Sequence, residues 1–194
     1  MLTLLTIPTT EQRGSAEEKR ELERLLSGVA AGDRDALAQL YHRTRTAVYC
    51  LALSVLKNAH DAQDVTQDTF VRVWERAAQY RASGSPMGWL LTVCRNEARM
   101  KLRREGRQTT LEDAQWEALP ADCSGLSPED RALLQQALAS LEDGERQIVL
   151  LHAVTGLKHR EIAALLEAPL STVLSRYHRA LKKLRVCLKG DDAR

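Results

Sequence analysis

Lys158-His159-Arg160-Glu161-Ile162-Ala163-Ala164-Leu165-Leu166, then Glu167-Ala168-Pro169-Leu170, then Ser171-Thr172-Val173-Leu174-Ser175-Arg176-Tyr177-His178-Arg179 is the stretch on which the fold turns. A short helical pattern, a tight break and a second helical pattern read as a helix-turn-helix. Ala163 is small enough to let two helices approach, and Ile162, Leu166 and Val173 are placed to fill the wedge between them. Pro169 stops the first helix from running on, and Ser171 is expected to cap the second. That second helix carries Ser171, Thr172, Ser175, Arg176 and Arg179 towards its N-terminal half, the part of a recognition helix that reaches base edges. Arg176 has the fork to read a guanine bidentately, while Arg160, Lys182 and Lys183 suit phosphates. One position resists. The turn usually takes Gly in a left-handed conformation, and Glu167 stands there, so either a non-Gly residue bears a cost of about 1 kcal/mol or the turn avoids that geometry.

Working outward, helical periodicity recurs throughout and no segment alternates as a strand does. Upstream, Ser127-Pro128-Glu129-Asp130 opens a helix to about Ser140, and Asp143 to about Val154 forms another that ends at Gly156. In the first half, Glu17 to Ala31 reads as a helix stopped by Gly32. Asp33 caps a long second helix to about Asn58, with Leu37, Leu40, Tyr41, Val48, Leu51, Val55 and Leu56 on its buried face. Asp61 is expected to cap a third helix to about Tyr80. After a loop at 81–86, Ser85 and Pro86 open a fourth to about Glu105. The fold class is therefore all-α: two small helical domains, a four-helix one at 17–106 and a helix-turn-helix one at 128–189. They are joined by an acidic linker at 107–127 expected to be flexible, with loose tails at 1–16 and 190–194.

The 194 residues are 44% hydrophobic and 4% aromatic, enough apolar content to rule out a disordered chain. Net charge is only +2, but its distribution is uneven. Six basic residues fall between Arg95 and Arg107, eight between Lys158 and Lys189, and Gln108 to Asp130 holds six acids and no base. Two cationic clusters on either side of an anionic stretch fit two contacts with a polyanion, or helix faces that are merely solvated. No run approaches the ~18 apolar residues of a membrane span, and Met1 to Thr10 does not read as a signal peptide. Cys50, Cys94, Cys123 and Cys187 are scattered without metal-ligand spacing, which fits reduced thiols in a cytoplasmic protein.

Two further constellations bear on function. On the fourth helix Thr92, Asn96, Arg99 and Arg103 share a face, flanked by Arg95 and Lys101. Beside the Ser-Gly-Ser loop this face suits single-stranded nucleic acid, with Tyr80 and Trp89 either packed in the core or offered to bases. On the third helix Asp61, Asp64 and Asp68 form an acidic ridge. They lack a partner His, a ligand set or a phosphate cradle, and no catalytic motif occurs elsewhere. No enzyme, metal or cofactor is expected.

Taken in order, three landmarks resemble those of bacterial extracytoplasmic-function (ECF) sigma factors of the sigma-70 superfamily. These are Asp61 to Trp74, then Tyr80 to Arg104 with Gly88-Trp89-Leu90-Leu91 and Cys94-Arg95-Asn96, then Leu141 to Leu184 with Glu145-Arg146-Gln147 and Ser171-Thr172-Val173. The resemblance covers about Glu21 to Leu188. It implies an alternative sigma factor with a sigma2-like and a sigma4-like domain, which binds core RNA polymerase (beta and beta-prime subunits) and promoter DNA. Asp61, Asp64, Gln67, Asp68, Val71 and Trp74 would dock on polymerase. Tyr80, Arg81, Ser83, Trp89, Arg95, Asn96, Arg99 and Arg103 would hold the melted −10 element. Arg160, Ser171, Thr172, Ser175, Arg176, Arg179 and Lys182 would engage the −35 duplex. The family also implies an anti-sigma factor that holds the protein inactive until a signal. Departures are Glu167 for the turn Gly, Ala168 for a Val-type residue, and Leu174 for a frequent basic one. A stand-alone helix-turn-helix regulator is the rival reading, but the chain shows no dimer seam and would leave the first domain without a purpose.

Overall fold

The computed structural model describes residues 12–82, 84–106 and 128–189. Among the described residues eight helices follow in order: α1 (Gln12–Ala30), α2 (Arg34–Leu56), α3 (Ala59–Arg76), α4 (Pro86–Arg104), α5 (Pro128–Ala139), α6 (Asp143–Thr155), α7 (His159–Leu166) and α8 (Leu170–Lys189). A single 3-10 turn, Ala77–Gln79, extends α3. There is no strand among the described residues. The linker at 107–127 and the segment 190–194 lie outside them.

The first unit is built round α2. Val48, Leu51 and Ala52 are wholly enclosed, and α1, α3 and α4 pack on it from three sides. Buried threonines do not leave hydroxyls unsatisfied: Thr44 donates to the Leu40 carbonyl, Thr66 to that of Ala62 and Thr69 to that of Val65. Tyr41 and Phe70 meet edge to face at 4.9 Å across α2 and α3. Cys94 is buried against Val48, and burial pushes its thiol up to about 12, so it serves as an inert apolar filler.

Helix starts follow the sequence-based expectation at α2 and α4 and depart from it at α1, α3 and α8. Asp33 caps α2 as anticipated, its Oδ1 accepting from the amides of Asp35 and Ala36. Ser85 caps α4 through the Gly88 amide. At α3, however, Asn58 rather than Asp61 is the cap: its Oδ1 accepts from the Asp61 amide at 3.0 Å. Asn58 already has the extended backbone a cap needs, which moves the helix start upstream and releases the Asp61 carboxylate for another use. Ser171 likewise lies inside α8, because the Pro169 carbonyl accepts from Thr172 and Val173 and sets the start at Leu170. Helix α1 begins at Gln12, so residues 12–16 belong to it and not to a tail.

In the second unit α7 and α8 form the expected wedge. Ile162 and Val173 are fully enclosed and Ala163 nearly so, while Leu165, rather than Leu166, is the more deeply buried leucine of α7. The turn keeps its left-handed residue: Glu167 has φ 53° and ψ 40°, and its amide and that of Ala168 donate to Ala164 and Ala163. The two units are not apart. Ile148, Leu151, Leu157, Ile162, Leu165 and Val173 belong to the same apolar cluster as Leu51, Leu53 and Leu56. Polar pins flank that seam. Lys57 Nζ lies 2.7 Å from Asp143 Oδ2, and Gln147 Nε2 donates to Ser54 Oγ at 2.9 Å.

Candidate nucleic-acid interface

Helix α3 presents Gln67, Asp68, Val71 and Trp74 outward along one side; Val71 is 57% exposed and Trp74 37%. Exposed large apolar groups beside carboxylates form a patch suited to a protein partner. Asp61 departs from the ridge expected for it. It is buried, and Lys101 Nζ from α4 lies 2.9 Å from its Oδ1 and 3.0 Å from Asp64 Oδ2. Burial pulls the Lys101 ammonium down, yet its hydrogen bonds with the two aspartates outweigh this and raise it overall. Asp61 is therefore a strut between α3 and α4, and the outward ridge runs from the half-buried Asp64 to Trp74. His60, Asp61 and Asp64 bring metal-type ligand atoms together, but the Lys101 ammonium already holds both carboxylates.

On α4, Asn96, Arg99 and Arg103 lie exposed on one side, and Arg81 is exposed in the preceding loop. Ser83 lies outside the described residues. Tyr80 and Trp89, expected to meet the −10 strand, are half-buried against the core and meet each other edge to face at 5.6 Å. Their rings serve packing, as large apolar groups usually do. Arg95 also differs from expectation. It is buried, and its guanidinium lies 2.8 Å from a carboxylate oxygen of Glu167, the turn residue of the second unit.

In the helix-turn-helix, Arg160, Ser171, Ser175, Arg176, Arg179 and Lys182 are exposed and Thr172 is half-buried. Arg176 lies across the N-terminal turn of α6: a Cβ built at Gly144 would come within 2.7 Å of its Nη1. Arg179 divides its reach, with Nε 3.5 Å from the enclosed Glu145 carboxylate. Lys183 Nζ sits 2.8 Å from the same carboxylate and so is a structural tie rather than a phosphate contact. Burial pushes the Glu145 carboxyl up, but the Lys183 hydrogen bond and the neighbouring charges leave it lowered overall.

Sequence reasoning missed the work done by Glu145-Arg146-Gln147. Glu145 anchors α8, Gln147 reaches the first unit, and buried Arg146 donates to the carbonyls of Leu138 at 2.7 Å and Leu141 at 2.8 Å. Arg146 thus ties the end of α5 and the turn after it to α6, as a second donor to the Leu138 carbonyl, which also accepts from the Leu141 amide, and as a donor to that of Leu141. The signal was a run of charged residues at the start of an otherwise apolar helix.

A helical bundle carrying a basic helix, linked to a helix-turn-helix with an exposed recognition surface, defines a two-part nucleic-acid-binding protein. Residues 40–108 match the family model of Sigma-70 region 2, and residues 131–184 match Sigma-70, region 4. The chain is 35% identical over 175 residues to an ECF RNA polymerase sigma factor, SigK, of Mycobacterium ulcerans, covering 87% of this chain and 94% of that protein. It is 34% identical to the SigK of Mycolicibacterium vanbaalenii, covering 87% and 89%. Among solved structures, RpoE of Bartonella quintana in complex with the anti-sigma factor NepR superposes with a TM-score of 0.58 at 26% identity, covering 78% and 96%. CnrH in complex with the cytosolic domain of CnrY gives the same TM-score and identity, covering 88% and 99%. The chain belongs to the ECF RNA polymerase sigma factors of the sigma-70 family, which are initiation factors and not enzymes.

Proposed function

We propose that this chain is an alternative sigma factor that binds core RNA polymerase and directs initiation at promoters read through a −35 and a −10 element. The observation that carries this reading is the separation of three surfaces by element: an acidic-apolar ridge on α3, an arginine face on α4 and a recognition face on α8. In this reading Asp64, Gln67, Asp68, Val71 and Trp74 meet polymerase. Arg81, Asn96, Arg99 and Arg103 hold the non-template strand, together with Arg95 once it is uncovered. A captured base that is held this way offsets the few kcal/mol lost on unstacking it. Ser171, Thr172, Ser175 and Arg176 face base edges, while Arg160, Arg179 and Lys182 take phosphates.

The protein acts in the cytoplasm on this reading, and no described helix is long and apolar enough to cross a membrane. An anti-sigma factor is its regulator, by extension from the relative solved with NepR. The exposed Val71 and Trp74 are the apolar groups such an inhibitor would cover along with the polymerase site. Run-off transcription from a random promoter library, with purified chain and core polymerase, tests the reading. Promoter-selective transcripts that vanish without the chain are expected. Duplex binding without any initiation would instead indicate a stand-alone regulator.

A further inference from the structure

Glu167 joins two facts that the sigma-factor reading leaves unconnected. It holds a left-handed backbone that glycine would adopt freely. Its carboxylate also reaches across the seam between the units to Arg95 at 2.8 Å and Arg99 at 3.3 Å. Hydrogen bonding from Arg95 lowers the Glu167 carboxyl to about 2, so it is an anion at any physiological pH. Arg95 is enclosed in this arrangement, with the Glu167 carboxylate set against its guanidinium.

We propose that Glu167 is an intramolecular latch, its carboxylate occupying on Arg95 and Arg99 the place of a DNA phosphate and so holding the free chain closed against the −10 strand. The inference rests on the functional reading above. Length supports it: −35 and −10 elements lie roughly 25 base pairs apart, about 85 Å of duplex at ~3.4 Å per pair, whereas here the two units touch. The closed arrangement therefore cannot span a promoter. Opening requires Arg95 and Arg99 to exchange the carboxylate for phosphates, a substitution of like for like in charge. Removing the carboxylate leaves Arg95 enclosed without its anion, which penalises the closed form more than the open one. A Gly at this position would leave the turn intact and the latch absent.

The test uses the full chain without polymerase, as wild type, Glu167→Gln and Glu167→Gly. The glycine variant relieves the backbone strain, so a loss of closure in it is not a failure to fold. X-ray scattering of the wild type should give a radius of gyration near the ~16 Å of a compact chain of this length, with a clear increase in both variants. Binding of a dye-labelled, mixed-sequence single-stranded DNA should tighten in both variants, on the order of tenfold. Variants as compact as the wild type that bind the DNA no better would overturn the latch, as would a wild type that is already extended. Run-off transcription at saturating polymerase should be equal in all three. If none of them initiates, the sigma-factor reading fails, while scattering still decides whether the latch exists.

Discussion

Arg176 and Lys101 show how basic residues serve two different ends. Arg176 is exposed on α8 with its guanidinium resting over Gly144, and Arg176→Ala should cost on the order of 1–3 kcal/mol at one −35 base pair and relax specificity there. Binding to a set of single-base promoter variants checks this; a uniform loss over all of them would place Arg176 on a phosphate. Lys101→Met should instead lower stability by about 2 kcal/mol, since it strips a charge-assisted hydrogen bond from buried Asp61. Denaturant unfolding reads that loss directly. The sequence pattern could not tell these two residues apart. Both sit in basic clusters, and only the distance from Lys101 to Asp61, on a different helix, shows which charge is already spent. For the same reason Asp61 read as a cap and as part of a docking ridge: Asn58 supplies an equally good cap, and the α4 partner of Asp61 is remote in the chain.

At the scale of elements, helix identities followed from period, caps and breakers, and Gly32, Pro86, Gly156 and Pro169 each mark a start or a stop. The helix-turn-helix was legible because its wedge, Ile162, Ala163 and Val173, is local. What local pattern does not reveal is the aromatic-imidazole cluster beneath it. His152 and His159 stack at 4.7 Å, and Tyr177 of α8 meets His159 edge to face at 4.4 Å. Burial lowers the pKa of His159, and His152 and His178 add to that. A histidine with a depressed folded pKa binds more protons when unfolded, so its contribution is whole above its ordinary value near 6.5 and is lost as pH falls below it. Thermal melts should show the α6–α8 unit less stable at pH 5.5 than at pH 7.5. Replacing His159 with Gln should shrink that difference; an unchanged difference would assign it to other groups.

Across the whole molecule, the sequence divides cleanly into two helical units, and the described residues join them through a shared apolar cluster and the Lys57–Asp143, Ser54–Gln147 and Arg95–Glu167 pins. No periodicity foretells such a seam, because its partners lie on opposite sides of a long acidic stretch and its ion pairs look like any solvated charge. The α3 surface was legible only in part: spacing pointed to an acidic ridge of Asp61, Asp64 and Asp68, the family resemblance added Gln67, Val71 and Trp74, and the exposure of Val71 and Trp74 is a feature of the folded chain. Trp74→Ala should weaken polymerase binding about tenfold or more if the indole is an anchor, at little cost to folding. On the proposed function, the chain works only as a subunit of polymerase. The most direct test is co-elution of purified chain and core RNA polymerase on a sizing column at low salt, with no inhibitor present. A stoichiometric complex that Trp74→Ala depletes is expected; two separate peaks for the wild-type chain would rule this subunit role out.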